Sequence, residues 1–276
     1  MRLAVLRPAN RLAEAVALAR AMGFETVAAS PLAIVPNDDA DTQRLVRALR
    51  RDEVDHVVVT SSAAVTSILM MSKRYDTDII GLLDRCKVTA IGPATAKALT
   101  AAGIRVDMMP GEFTSTGLVD MLTARDIGGK MICLLRSDHG DPSLVTGLED
   151  AGALVLEVTV YKLVPRPEDQ DLVALVRKAL AGDVDAFAFP SAMTAATFIE
   201  AAELMGSRDM LIAVLNDRLV AAIGPPTRRR LESMGVRVGI MPGQATFKAM
   251  LEAIKRTPEG GSNDDIPLRF ESLSRS

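Results

Sequence analysis

The chain has 276 residues, 49% of them hydrophobic and 24% charged. This is a globular, water-soluble balance, and the length suits two domains of ordinary size better than a single core. The net charge of −3 excludes the broad electropositive face of a nucleic-acid binder, though a local basic cleft remains compatible with it. No apolar run reaches the roughly 20 residues that span a bilayer.

Taken in order, residues 3–7 are predicted as a strand and 11–22 as a helix, with Leu12, Val16 and Ala19 at helical spacing and Gly23 as its stop. A strand over 24–29 leads into an extended segment, 30–36, fenced by Pro31 and Pro36. Then follow a helix ending over 45–51, a strand at 55–60, a helix at 63–73, a strand at 88–91, a helix at 94–102 stopped by Gly103, a strand at 104–108 and a helix at 115–124. The alternation resumes with a strand at 131–135, a helix before Gly152, a strand at 154–159 and a second proline-closed segment at 160–165. It closes with helices at 172–180, 194–204, 228–234 and 247–254, and strands at 186–189, 220–223 and 236–240. Alternating strands and helices with short loops predict an α/β fold, and unbroken Val/Ile/Ala strands predict parallel sheets covered on both faces. After Arg256 the chain runs Thr257-Pro-Glu-Gly-Gly-Ser-Asn-Asp-Asp265 with no aliphatic or aromatic side chain, and residues 257–276 read as a disordered tail. The N-terminus reads as a strand without a signal peptide, and Cys86 and Cys133 read as reduced core residues; both point to a cytoplasmic protein.

The chain also repeats itself. Ala90-Ile-Gly-Pro-Ala-Thr95 returns as Ala222-Ile-Gly-Pro-Pro-Thr227, Met109-Pro-Gly111 as Met241-Pro-Gly243, and the run ending Thr60-Ser61 as the run ending Pro190-Ser191, each roughly 130 residues later. Arg7 falls on Arg136 in the same way. Two similar halves predict two lobes with a ligand held between them. A plain tandem repeat would need one linker, near Asp126-Ile-Gly-Gly129. The two proline-fenced segments stand at equivalent positions, however, and favour a double crossing in which the first residues join the second half.

In parallel sheets, ligands bind where strands end and helices begin, and free N–H groups there attract anions. The loops at those ends supply Arg7, Ser61, Ser62, Gly92, Thr95, Thr114, Ser115, Arg136, Ser137, Ser191, Gly224 and Thr227. They suit a ligand carrying several carboxylates or phosphates. The hydroxyl residues equally suit plain helix caps, and Gly-Pro equally suits a plain turn. Two isolated histidines make no metal site, and no phosphate-binding loop or nucleophile elbow is present. Tyr161 lies inside the second extended segment, where its phenol could give a proton to a leaving hydroxyl or simply pack a strand.

Leu6-Arg7-Pro8, Val57-Val-Val-Thr-Ser-Ser-Ala63, Ala90-Ile-Gly-Pro-Ala-Thr-Ala96, Phe113-Thr-Ser-Thr-Gly-Leu118, Val158-Thr-Val-Tyr161, Pro190-Ser191 and Ala222-Ile-Gly-Pro-Pro-Thr227, in that order, resemble the uroporphyrinogen-III synthase family over residues 1–256. The resemblance implies two flavodoxin-like parallel-sheet lobes joined by a two-stranded β-ladder. One lobe would be formed by residues 1–33 with 167–256 and the other by 37–159, with linkers at 30–36 and 160–166 and the N-terminal segment swapped between the halves. It implies a protein that uses no metal or organic cofactor and acts on hydroxymethylbilane, a linear polycarboxylate tetrapyrrole; a monomer is the separate expectation. Its reaction inverts ring D, closes the macrocycle and releases water to give uroporphyrinogen III. Tyr161 matches the family's tyrosine near the leaving hydroxyl, and Thr227 a threonine of its cleft. Pro190 and Pro226 depart from the pattern of the first half, which has Thr60 and Ala94, and remove any hydroxyl contact there. The competing expectation is a non-catalytic two-lobed module that binds an anionic ligand or a tetrapyrrole.

Overall fold

A computed structural model describes residues 1–37 and 39–257; the tail expected over 257–276 therefore lies, beyond Thr257, outside the described residues. The elements are β1 (Arg2–Leu6), α1 (Ala9–Ala21), β2 (Glu25–Ala29), β3 (Leu32–Pro36), α2 (Ala40–Arg50), β4 (His56–Val59), α3 (Ser62–Arg74), α4 (Ile79–Leu83), β5 (Lys87–Ala90), α5 (Pro93–Ala101) and α6 (Ser115–Thr123). They continue with β6 (Met131–Ser137), α7 (Pro142–Asp150), β7 (Leu154–Pro165), α8 (Gln170–Leu180), β8 (Ala186–Phe189), α9 (Ala192–Leu204), α10 (Arg208–Asn216), β9 (Leu219–Ala222), α11 (Pro225–Ser233) and α12 (Phe247–Lys255).

The chain divides into two units, one of Met1–Ala33 with the chain from Val164 onward and one of Ile34–Leu163. The first contains a four-stranded sheet in the order β2-β1-β8-β9, with every pairing parallel. The other sheet has five strands in the order β3-β7-β6-β4-β5, and β7, β6, β4 and β5 run parallel. The chain thus has an α/β fold with parallel sheets.

Both sheets are covered on both faces, which is why their strands are apolar without alternation. In the five-stranded sheet, Val57, Val59, Cys133 and Leu135 join one core cluster while Val58, Ile132 and Leu134 join another. In the four-stranded sheet, Ala4, Leu6, Phe187 and Phe189 face one layer and Leu3, Val5, Ala186 and Ala188 the opposite one. Phe187, Phe189 and Phe198 pack with centroids 5.9–6.4 Å apart, and each fully buried large apolar side chain stabilises the fold by about 1.5–3 kcal/mol. Helices follow from spacing and caps. α8 buries Leu172, Leu175, Val176 and Ala179, starts where the Asp169 carboxylate accepts from the N–H groups of Asp171 and Leu172, and is followed by Gly182 at φ +80°.

Residues 104–108 and 236–240, expected as strands, form only single bridges, Thr89 to Met108 and Ala221 to Ile240. In the first, the Asp107 carboxylate accepts from Val88 N–H at 2.8 Å and takes a ladder position from the backbone. The expected break between 159 and 160 is absent, because β7 continues through it as one 12-residue strand. Helices α4 and α10 were not expected.

Candidate functional site

The carboxyl edge of the five-stranded sheet gathers several of the expected residues. Thr60 N–H donates to Leu135 carbonyl and Ile91 N–H to Val59 carbonyl, so the loops after β4 and β5 start in register with the end of β6. Ser61 caps α3, its Oγ accepting from Ala64 N–H at 3.1 Å, and Ser62 is the first residue of that helix. Tyr161 pairs with Ser137 across an irregularity of the β6–β7 ladder. The phenol is largely buried, and its Oη lies 3.0 Å from Ser61 Oγ, a bond between residues a hundred positions apart. Ser137 Oγ accepts from His139 N–H at 3.3 Å. Asp138 holds the neighbouring backbone: its N–H donates to Tyr161 carbonyl, and its carboxylate accepts from Leu163 N–H and contacts His139 Nδ1 at 2.9 Å.

Gly92 caps α5 in extended backbone with Pro93 at the first helical position. A Cβ on Gly92 would lie 3.2 Å from Phe113 Cγ, a tight contact that the aromatic ring, itself 53% exposed, would have to relieve by a shift of a few tenths of an ångström. Thr114 caps α6 by accepting from Gly117 N–H at 3.0 Å. Ser115 opens α6, and its hydroxyl helps hold the Asp141 carboxyl below the usual carboxylate range.

The four-stranded sheet presents Arg7, Ser191 and Gly224 at its own carboxyl edge, after β1, β8 and β9. Arg7 Nε is buried with no hydrogen-bond partner among the described residues, and its guanidinium carbon lies 5.1 Å from the Phe247 ring centroid. Burial, reinforced by Arg11 and opposed by Glu14, pushes its pKa down to about 10. A largely desolvated guanidinium with an unused Nε–H is a ready donor to a carboxylate. Ser191 caps α9. Gly224 caps α11 with open space where a Cβ would stand.

Three expected contacts are turned inward. Arg136 is only 4% exposed; its Nε donates to Glu157 Oε1 at 2.7 Å and its Nη1 to Asp141 carbonyl at 2.7 Å. Thr95 and Thr227, each in the first turn of its helix, are buried. Glu157, Asp141, Phe113 and Phe247 were missed as partners in these arrangements. Among the described residues no group of three His, Cys, Asp or Glu could hold a metal ion, and no helix is long and apolar enough to cross a membrane.

The family model HEM4, described as uroporphyrinogen-III synthase HemD, matches residues 13–252. A Methanothermobacter thermautotrophicus protein named "Putative uroporphyrinogen-III synthase" is 37% identical over 254 residues, covering 91% of this chain and 96% of that one. Chlorobaculum parvum uroporphyrinogen-III synthase is 27% identical over 203 residues, covering 72% and 79%. The crystal structure of a mutant uroporphyrinogen III synthase from Thermus thermophilus superposes with a TM-score of 0.58 at 28% identity, covering 93% of this chain and 98% of that one. The fold is shared with the Helicobacter pylori uroporphyrinogen-III synthetase at a TM-score of 0.62 and 19% identity, covering 92% and 99%. The chain belongs to the uroporphyrinogen-III synthase family.

Proposed function

We propose that the protein converts hydroxymethylbilane into uroporphyrinogen III, with inversion of ring D and loss of water. The observation that carries the reading is the Ser61–Tyr161 hydroxyl pair at a sheet's carboxyl edge, in a chain whose family match spans residues 13–252. The substrate's hydroxymethyl C–O bond breaks, and the oxygen leaves as water when Tyr161 supplies a proton. The carbon left behind is attacked by the substituted carbon of ring D to give a spiro intermediate; the older bond from that ring carbon to its methylene bridge then breaks, the bridge carbon re-bonds to the free α-carbon of ring D, and the proton lost there restores the phenol. Because the unaided reaction gives the symmetric isomer, the protein's contribution is chiefly orientation.

Each unit, taken by itself, offers carboxylate-binding groups at its sheet's carboxyl edge: Ser62, Gly92, Thr114, Ser115 and Ser137 in one, with the Ser61 hydroxyl engaged by Tyr161, and Arg7, Ser191 and Gly224 in the other. Arg136, Thr95 and Thr227 brace these loops from beneath. The unpartnered Arg7 Nε supports this assignment, as do helix N-termini whose caps leave N–H groups free.

The fold descends from a duplicated unit whose N-terminal segment is exchanged between the halves. Support comes from the repeated motifs and from β1 and β2 lying in one sheet with β8 and β9. The test feeds freshly generated hydroxymethylbilane to the protein and separates the isomers by chromatography. Predominant isomer III is expected; isomer I alone would leave only a binding role.

A further inference from the structure

The two repeats handle an equivalent serine differently. Ser61 and Ser191 cap α3 and α9 with nearly the same backbone, φ −160°, ψ 156° and φ −162°, ψ 157°. Each Oγ accepts the N–H three residues on at 3.1 Å. That residue is Thr194 in one repeat and Ala64 in the other. Ser191 spends its own proton locally, donating to Thr194 Oγ1 at 2.8 Å. Ala64 offers no such acceptor, and the hydroxyl that reaches Ser61 Oγ is that of Tyr161, at 3.0 Å.

We propose that Ser61 is a positioning residue that donates its hydroxyl proton to Tyr161 Oη, leaving the phenol's own proton for the substrate, and that Ala64 keeps Ser61 available by offering no competing acceptor. The inference rests on the reading of Tyr161 as proton donor. Its physical basis is a relay: Ala64 N–H donates to Ser61 Oγ, and Ser61 O–H donates to Tyr161 Oη. A hydroxyl that already accepts a bond from a helix N-terminus is polarised into a better donor. As Tyr161 gives up its proton, negative charge grows on Oη, and the bond from Ser61 becomes charge-assisted. It strengthens in the transition state more than in the ground state, which is the condition for accelerating the step. The opposite polarity, with Tyr161 donating to Ser61, would hold the reacting proton back.

The test compares Ser61→Ala, Ser61→Thr and Ala64→Ser, with Ser61→Ala also made in a Tyr161→Phe background. Ser61→Ala is expected to lower kcat roughly tenfold to a hundredfold, with KM within about twofold. Ser61→Thr keeps both cap and donor and restores most of the rate. Ala64→Ser recreates the acceptor that Thr194 provides and reproduces part of the loss. In the Tyr161→Phe background Ser61→Ala costs nothing further, whereas a merely structural cap would cost the same in both.

Resonance Raman spectra in a Tyr75→Phe background then report on Tyr161 alone, since the chain has two tyrosines. Its C–O stretch should lose the signature of an accepted hydrogen bond on Ser61→Ala. An unchanged stretch, an unchanged kcat, or equal losses in both backgrounds overturns the proposal. If wild type forms only isomer I, or Tyr161→Phe turns over normally, the reading of Tyr161 itself falls and the proposal with it; the Raman result still shows separately whether the hydroxyl pair is polarised this way.

Discussion

Arg7 stacks its guanidinium 5.1 Å from the centroid of Phe247 while its Nε stays buried and unpaired among the described residues. A base whose folded pKa lies near 10 against an ordinary 12.5 destabilises the fold wherever it is charged. That penalty is complete below about pH 10 and is relieved only as pH rises beyond it. At pH 7, Arg7→Met should therefore raise stability by about 1 kcal/mol, after discounting for partial exposure. The same change should lower kcat/KM at least tenfold by removing the carboxylate's partner. Thermal melts read alongside kinetics check the pair of effects; a destabilised variant with full activity would show that Arg7 is a packing residue.

Arg136 makes the opposite case. Its charge is buried but matched by Glu157 at 2.7 Å. Because Glu157 is 42% exposed, Glu157→Ala should cost about 2 kcal/mol, less than the 3–5 typical of a fully buried pair. Arg136→Met should cost less than Glu157→Ala, since it removes the charge instead of stranding it. Urea titrations of the two variants decide the order.

The fold's parallel strands were legible because their burial on both faces leaves an apolar run, as at Val57-Val-Val59. Residues 104–108 (Ile-Arg-Val-Asp-Met) and 236–240 (Val-Arg-Val-Gly-Ile) place apolar side chains at every second position as a strand does, yet pair through a single residue each. Local composition carries no sign of how long a neighbouring strand stays within reach. α10 was invisible for a related reason: Met210-Leu-Ile-Ala-Val-Leu215 is an uninterrupted apolar run that suits a buried helix or a strand equally. At the site, Tyr161 stood out as a rare phenol, but its partner Ser61 is a hundred residues away. Arg7 and Arg136 looked alike in sequence. Only tertiary packing sets Glu157 beside one and Phe247 beside the other.

Asp141 caps α7. Its carboxyl is held below the usual carboxylate range, first by the Ser143 N–H and then by the Ser143 and Ser115 hydroxyls and the Arg136 charge, against a small opposing effect of burial. Such a group adds stability above its unfolded-state pKa and loses it as pH falls through the lowered folded value. Asp141→Ala should cost about 1 kcal/mol at pH 7, and its deficit relative to wild type should shrink as the solution is acidified below the usual carboxylate range. Melts of both proteins from neutral to acidic pH test this; a pH-independent deficit would assign the effect to packing.

Gly92 and Gly224 cap equivalent helices in the same extended backbone. Alanine at either should cost about 0.5–1 kcal/mol as a poorer cap. Gly92→Ala must in addition displace Phe113, whereas nothing stands within 4 Å at Gly224. Steady-state kinetics should show KM rising more for Gly92→Ala than for Gly224→Ala at similar stability. Equal KM values would show that shifting Phe113 leaves the loop at Gly92 undisturbed.

The most direct measurement places wild type and Tyr161→Phe, at limiting enzyme, in the same supply of hydroxymethylbilane and compares the isomers formed. Wild type should deliver almost entirely uroporphyrinogen III. The variant should let unaided cyclisation overtake it, so that isomer I predominates while circular dichroism shows an intact fold. Isomer I from both would contradict the synthase activity, and isomer III from both would contradict the role of the Tyr161 hydroxyl.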